Sequence, residues 1–303
     1  MEEHVTDSQT LIGPVAGGRP DIRAIPLPND ARVAFTVQVA LEASSNSRGA
    51  RMPEEAARRG LPDYAAESAQ LYGPQSGVGR LAETIEGHGM QACIHVSGLV
   101  GERWPDLVAE LARKGHEMVG HAYSQDEQMA LMDETDDLQT VRRCTDIIEK
   151  VTKQRPVGWS SQGSRRGRFT VLSLLKEGYT YTRDFRDSDI PYVVAQLGPR
   201  RLLAMTRTDE INDLPISRAN LPPSVFVEYF KRAFDQLYQE GQTAPKVMTC
   251  VTHATVSGKP WGASAVAECL AYVRQHDDVW CATGREVADH YLRHLPALEP
   301  ERG

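Results

Sequence analysis

The chain has 303 residues, 41% of them hydrophobic, which is enough to bury a substantial core as one large domain or two. Its formal charge of −7 and pI near 5.8 give no electrostatic basis for binding nucleic acid or an anionic membrane. Five cysteines, Cys93, Cys144, Cys250, Cys269 and Cys281, are odd in number and form no C-x-x-C pair. They read as small buried hydrophobes in a reducing compartment, not as a zinc or redox set. The acidic start "MEEHVTDSQTLIGPVAGG" has no apolar signal core, and no later run approaches the ~20 apolar residues of a membrane span, so a cytoplasmic location is expected.

Residues 1–30 have little periodicity and read as an N-terminal arm, with residues 296–303 as a tail and 31–295 as the folded body. Order begins at Val33 to Leu41, an apolar, β-branched run that suits a strand covered on both faces. A long polar segment broken by Gly and Pro follows, and such a connection reads as a functional loop. A helix is predicted from Gly77 to Glu86. "MQACIHVSG" then reads as a strand, "WPDLVAELARKG" as a helix, "HEMVGHA" as a strand and "TDDLQTVRRCTDIIEKVT" as a long helix.

The alternation continues with strand "RPVGWSS", helix "RFTVLSLLKEG", and strands "YTYTRDF" and "RRLLAMTRT". It ends with helix "PPSVFVEYFKRAFDQLYQEG", strand "APKVMTCVTHA", helix "GASAVAECLAYVRQH", strand "DVWCAT" and helix "GREVADHYLRHL". Seven or so strand–helix units with neither repeat nor linker imply an α/β fold of parallel strands, a single distorted (β/α)7-8 barrel. Chemistry on such a sheet gathers at the carboxyl ends of the strands. Those ends carry Glu42, Ser97, His121, Trp159 to Gln162, Asp184 and Asp187, Thr208 to Asp213, and His253.

The order of "YGPQSGVGRL" (72–81), "RPVGW" (155–159), "RTDEINDLP" (207–215), "YQEGQTAPKVMTCVTHATVSGKPW" (238–261) and "VWCATGREVADHY" (279–291) resembles the polysaccharide deacetylase (NodB-type, carbohydrate esterase family four) superfamily. The resemblance covers about 31–292 and lies nearest the cytosolic cyclic amide hydrolases, the cofactor-independent allantoinases and cyclic imide hydrolases. It implies a distorted barrel, an acidic base and a metal-ligating acid after the first strand, an H-x-x-x-H metal pair, and an acidic histidine after the last main strand. Here Glu42 matches the base, Ala43 stands where the ligand is expected, and Gln125 stands four residues after His121. His253 matches the acid.

A catalytic divalent metal needs about three protein ligands, so these departures predict no tightly held cofactor, with zinc at a weak or non-standard site as the alternative. The expected catalytic set is Glu42, His253 and His121, the last either contacting substrate or serving as a satisfied interior histidine. Expected substrate contacts are Tyr123, Gln125, Trp159, Ser160, Asn212, Asp213 and Trp261: the aromatics for a flat ring, Asn212 and Asp213 for ring amides or else as a turn before Leu214 and Pro215. Ser160, Ser161 or a backbone N–H would meet the oxyanion. Asp184, Asp187 and Asp189 read as turn residues, one of which could orient a histidine. The cluster Arg165, Arg166 and Arg168 reads as a solvated loop or an anion contact.

The implied activity is hydrolysis of a carbon–nitrogen bond in a small cyclic amide or imide, by a homo-oligomer whose partner is a small molecule, not nucleic acid or membrane. A proton-transfer enzyme without hydrolysis and a non-catalytic binder are the alternatives.

Overall fold

The computed structural model describes residues 13–14, 20–45, 52, 54–205 and 207–298. Nine strands form one sheet: β1 (Val33–Leu41), β2 (Ala92–Val96), β3 (Glu117–Gly120), β4 (Gly158–Trp159), β5 (Tyr181–Thr182), β6 (Tyr192–Leu197), β7 (Arg200–Ala204), β8 (Lys246–His253) and β9 (Val279–Cys281). Their order is β6-β7-β5-β4-β3-β2-β1-β8, with β9 beside the first residues of β1. All neighbours are parallel except β6 and β7. Every residue of β1 is buried, as its unbroken apolar run requires.

The sheet is a curled half-barrel, and its ends, β6 and β8, are bridged by loop backbone. Val247 donates its N–H to the Asp189 carbonyl at 3.0 Å, and Val251 donates to Ile211 at 2.9 Å. These two bonds satisfy donors on the free edge of β8. Helices pack over the outside, among them Val78–Gly87, Glu134–Thr152, Pro223–Glu240 and Pro260–Val273. Their apolar faces meet Val37, Val39, Leu41, Val96 and Trp159 in the main core.

Three features depart from the sequence reading. The apolar stretch Tyr192–Leu197 is a strand in its own right, turning through Gly198 and Pro199 into β7, so one unit is an antiparallel hairpin instead of a strand–helix repeat. The polar segment after β1 holds helices at Glu54–Arg58 and Tyr64–Tyr72, while residues 46–51 and 53 lie outside the described residues. The helix expected from Gly77 instead continues from Tyr64 through a π-type turn at Gly73–Gly77. Of the segment read as an arm, residues 1–12 and 15–19 lie outside the described residues; Ile25 and Leu27 are buried with Leu295, and His290 Nε2 donates to the Pro26 carbonyl at 2.8 Å.

The register positions the site. Leu41, Val96, Gly120, Trp159 and Thr182 lie level across five strands. One residue on, the ladder continues through bonds from Ser97, His121, Ser160 and Arg183 to the preceding strand. Glu42, Ser97, His121, Ser160 and Arg183 therefore form the next level, which the period of two turns to the inner side, opposite Leu41 and Trp159.

Candidate active site

At the carboxyl ends of the strands lies a cavity of about 970 Å³, lined by Gln38, Ala40 and Glu42 from β1 and its end, His121 and Gln125 after β3, and His253 at the end of β8. Arg165, Arg186, Arg207 and Arg218 line it too. That volume suits a small ligand with room for its substituents.

His121 fixes one side. Its Nδ1 lies 2.7 Å from the Ser160 carbonyl, which can only accept, so Nδ1 carries a proton. Its Nε2 lies 2.9 Å from Glu42 Oε1, within hydrogen-bond reach. Burial opposes the charge of Glu42, but the hydrogen bond from His121 and the nearby charges of His253, His121 and Arg218 prevail. They hold its pKa down at about 2. Glu42 is thus a carboxylate throughout the neutral range. Beneath, the Ser160 hydroxyl lies between His121 Nδ1 at 2.9 Å and His95 Nδ1 at 2.7 Å.

His253 fixes the other side. Asp213 takes its Nδ1–H at 2.6 Å on one oxygen, and on the other accepts the backbone N–H of His253 at 2.8 Å and of Ser257 at 3.1 Å. Burial disfavours a charged His253, yet the Asp213 carboxylate overrides it and raises the pKa above the ordinary histidine value. Nε2 is left to face the cavity as a proton donor.

The expected substrate contacts divide. Gln125 and Asn212 line the cavity, although Asn212 Oδ1 also caps the helix Asp213–Arg218 by accepting from Leu214 N–H at 3.1 Å. Asp213 is instead the residue that orients His253, a role the sequence reading had offered to Asp184, Asp187 or Asp189. Asp184 is buried and accepts from Ser161 N–H at 2.7 Å and its hydroxyl at 2.8 Å, while Asp187 accepts from the Tyr192 hydroxyl. Those bonds also occupy Ser161, and the two histidines occupy Ser160, so neither serine is free to meet an oxyanion.

Trp159 is fully buried against Tyr179 and donates Nε1–H to Ser161, supporting the floor without lining it. Tyr123 gives its hydroxyl to Glu102 beneath the Arg143 guanidinium, and Trp261 lies outside the cavity lining.

Sequence reasoning missed Gln38, Arg207 and Arg218. Gln38 is 3% exposed and lines the cavity floor with Oε1 unpartnered. Its signal was a period-two run, Thr36, Gln38, Ala40, Glu42, inside a strand otherwise made of large apolar residues.

Residues 72–182 match the family model for polysaccharide deacetylase. That segment resembles the polysaccharide deacetylase family. The chain superposes on a structure described as a probable polysaccharide deacetylase from Pseudomonas aeruginosa PAO1, with TM-score 0.82 and 27% identity over 93% of this chain and 97% of that one. It superposes also on one described as Puue allantoinase, with TM-score 0.81 and 25% identity over 90% and 94%. A curated peptidoglycan deacetylase from Helicobacter pylori is 21% identical over 76% of this chain and 88% of its own length. These likenesses make the chain a hydrolase acting on carbon–nitrogen bonds other than peptide bonds.

The metal pattern implied by the family resemblance does not fit the donors of this chain. Ala43 offers a methyl group, the Gln125 amide is neutral, and both ring nitrogens of His121 are engaged. Among the described residues no three His, Cys, Asp or Glu side chains are grouped to hold an ion.

Proposed function

We propose that the protein hydrolyses a ring amide or imide of a small molecule, with Glu42 as base and His253 as acid. The observation that carries this reading is a pair of hydrogen-bonded groups facing one cavity: Glu42 bonded to His121 at 2.9 Å, and His253 bonded to Asp213 at 2.6 Å, which raises its pKa. Water attacks the ring carbonyl carbon and gives a proton to Glu42. As the tetrahedral intermediate collapses, the carbon–nitrogen bond breaks and His253 passes its Nε2 proton to the leaving nitrogen. The His253 imidazolium and the unpartnered Gln125 Nε2–H, turned onto the substrate oxygen, supply the donors that an oxyanion requires.

A carboxylate with a pKa near 2 is a weak base, which favours electron-poor imides and hydantoins over unactivated acetamido sugars. The likeness to an allantoinase supports a ring-opening substrate. The five cysteines form no disulfide, which supports a reducing, cytoplasmic setting, and no helix among the described residues is long and apolar enough to cross a membrane. Assembly as a homo-oligomer belongs to the same proposal and is read by light scattering.

The test is turnover of hydantoin and succinimide by protein exhaustively treated with chelator. Ring opening should persist after chelation and fall by about 10²- to 10⁴-fold in Glu42→Gln, the range for loss of an acid–base group. Activity that vanishes with chelator and returns with zinc would overturn the metal-free mechanism. Absence of turnover on any amide would favour the proton-transfer or binder alternative.

A further inference from the structure

We infer that the substrate carries a carboxylate remote from the scissile bond, and that Arg165 and Arg218 grip it. This deepens the proposed ring-opening function and rests on it. The chain is acidic overall, at −7, yet four arginines converge on one cavity. They come from separate parts of the fold: Arg165 follows β4, Arg186 follows β5, and Arg207 and Arg218 follow β7. Only one of the lining carboxylates, Asp209, forms a direct ion pair with any of them, although the Arg218 charge also acts on Glu42 from a distance. Asp209 is shared, with one oxygen 2.8 Å from Arg207 and the other 3.0 Å from Arg186.

The other two lining carboxylates are used elsewhere. Glu42 pairs with His121, and Glu127, its pKa raised by burial, accepts the Tyr123 N–H. The guanidiniums of Arg165 and Arg218 make no hydrogen bond or ion pair with the described residues, and both residues are exposed. Arg166 and Arg168, by contrast, lie over the rings of Phe185 and Phe169. Of the basic cluster in that loop, Arg165 alone lines the cavity.

A planar guanidinium matches a carboxylate through paired N–H donors, and a partly enclosed cavity strengthens such a contact over one on the open surface. Glu42 and the Asp209 carboxylate repel an anion from their own positions, so the free arginines select where the charged end lies. A ring amide with an acidic side arm then has its reactive carbonyl left for Glu42 and His253. A neutral ring would leave the Arg165 and Arg218 guanidiniums without a direct ion-pair partner in the cavity.

Calorimetric titration of the full chain with succinamate, neutral succinamide and inorganic phosphate tests the anion site without relying on turnover. Succinamate should bind at least ~10-fold more tightly than succinamide, and Arg218→Gln or Arg165→Gln should each weaken succinamate alone by ~10-fold. Arg232→Gln, on an outer helix and paired with Glu228, should change neither. Equal binding of succinamate and succinamide, or binding unaffected by both cavity variants, overturns the inference. Tighter binding of phosphate than of succinamate overturns the carboxylate assignment.

Turnover separates the two readings. Preference for hydantoin-5-acetate over hydantoin that is lost in Arg218→Gln supports the inference, while equal rates on both sink it and leave ring hydrolysis standing. Arginine-dependent succinamate binding with no ring opening upholds the anion site and sinks the hydrolytic reading.

Discussion

Asp213 spends both oxygens on His253 and the backbone that follows it, so the charge of one buried carboxylate sets both the orientation and the acidity of the proposed acid. Burial is the largest influence on that imidazole and disfavours the charged form, but Asp213, helped by Glu42, prevails. Because the folded pKa is raised, the protonated acid is available at low pH and is lost as pH climbs through that raised value. Asn in place of Asp213 keeps the shape and removes the charge, leaving burial opposed only by the weaker influence of Glu42. The alkaline limb of kcat/KM in Asp213→Asn should therefore move to lower pH, with a fall of about 10²-fold at neutral pH. A pH–rate profile with its alkaline limb unmoved would show that Asp213 is merely structural. Glu42, His121 and His253 were legible in the sequence because each ends a run of buried-strand residues. Asp213 was not, since an Asn-Asp pair before Leu-Pro also reads as an ordinary turn, and its partner lies 40 positions away.

The order of strand and helix says where loops converge, but not how an outer helix seats them. In the segment 73–77, a π-type turn brings Gly77 against the loop that follows β8. A Cβ there would lie 1.9 Å from the carbonyl oxygen of Ala254, the residue after His253. Backbone cannot yield as a flexible side chain can. Gly77→Ala should cost about 2 kcal/mol of stability by overpacking and lower kcat by shifting His253, as read by thermal unfolding and steady-state rates. Gly79, one residue into the next helix, is the control: a Cβ there meets nothing within 4 Å. Gly79→Ala should be stabilising by about 0.5–1 kcal/mol with kcat unchanged. If both substitutions behave alike, helix propensity and not seating governs this segment. The motif "YGPQSGVGRL" was visible at once in the sequence, whereas its use as a seat depends on a contact 177 residues distant. The β6–β7 hairpin was likewise hidden, because Tyr192–Leu197 is short and lies between turn-forming residues.

Across the whole molecule, the inner side of the sheet is a buried polar column below the cavity. The Arg183 guanidinium is fully buried and donates to the hydroxyls of Thr249 and Thr36, with Nε left unpartnered. Above it lies His95, also fully buried, whose Nε2 has no partner. Burial foremost, and then the Arg183 charge, hold its pKa well below the ordinary value, so it stays neutral in the fold. Once unfolded, it regains a pKa near 6.5 and takes up a proton that the native state refuses. The direction follows: the unfolded state binds more protons below about pH 6.5, so acidification drains stability. His116, also lowered by burial, acts in the same sense, and His253, raised by Asp213, acts in the opposite one. His95→Gln isolates the single contribution. Its Tm should start lower at pH 7, where the bond to Ser160 is altered, and then fall less between pH 7 and pH 5 than that of the parent. Parallel Tm-against-pH lines would mean that His95 accepts its proton inside the fold, and the polar column would then be open to water.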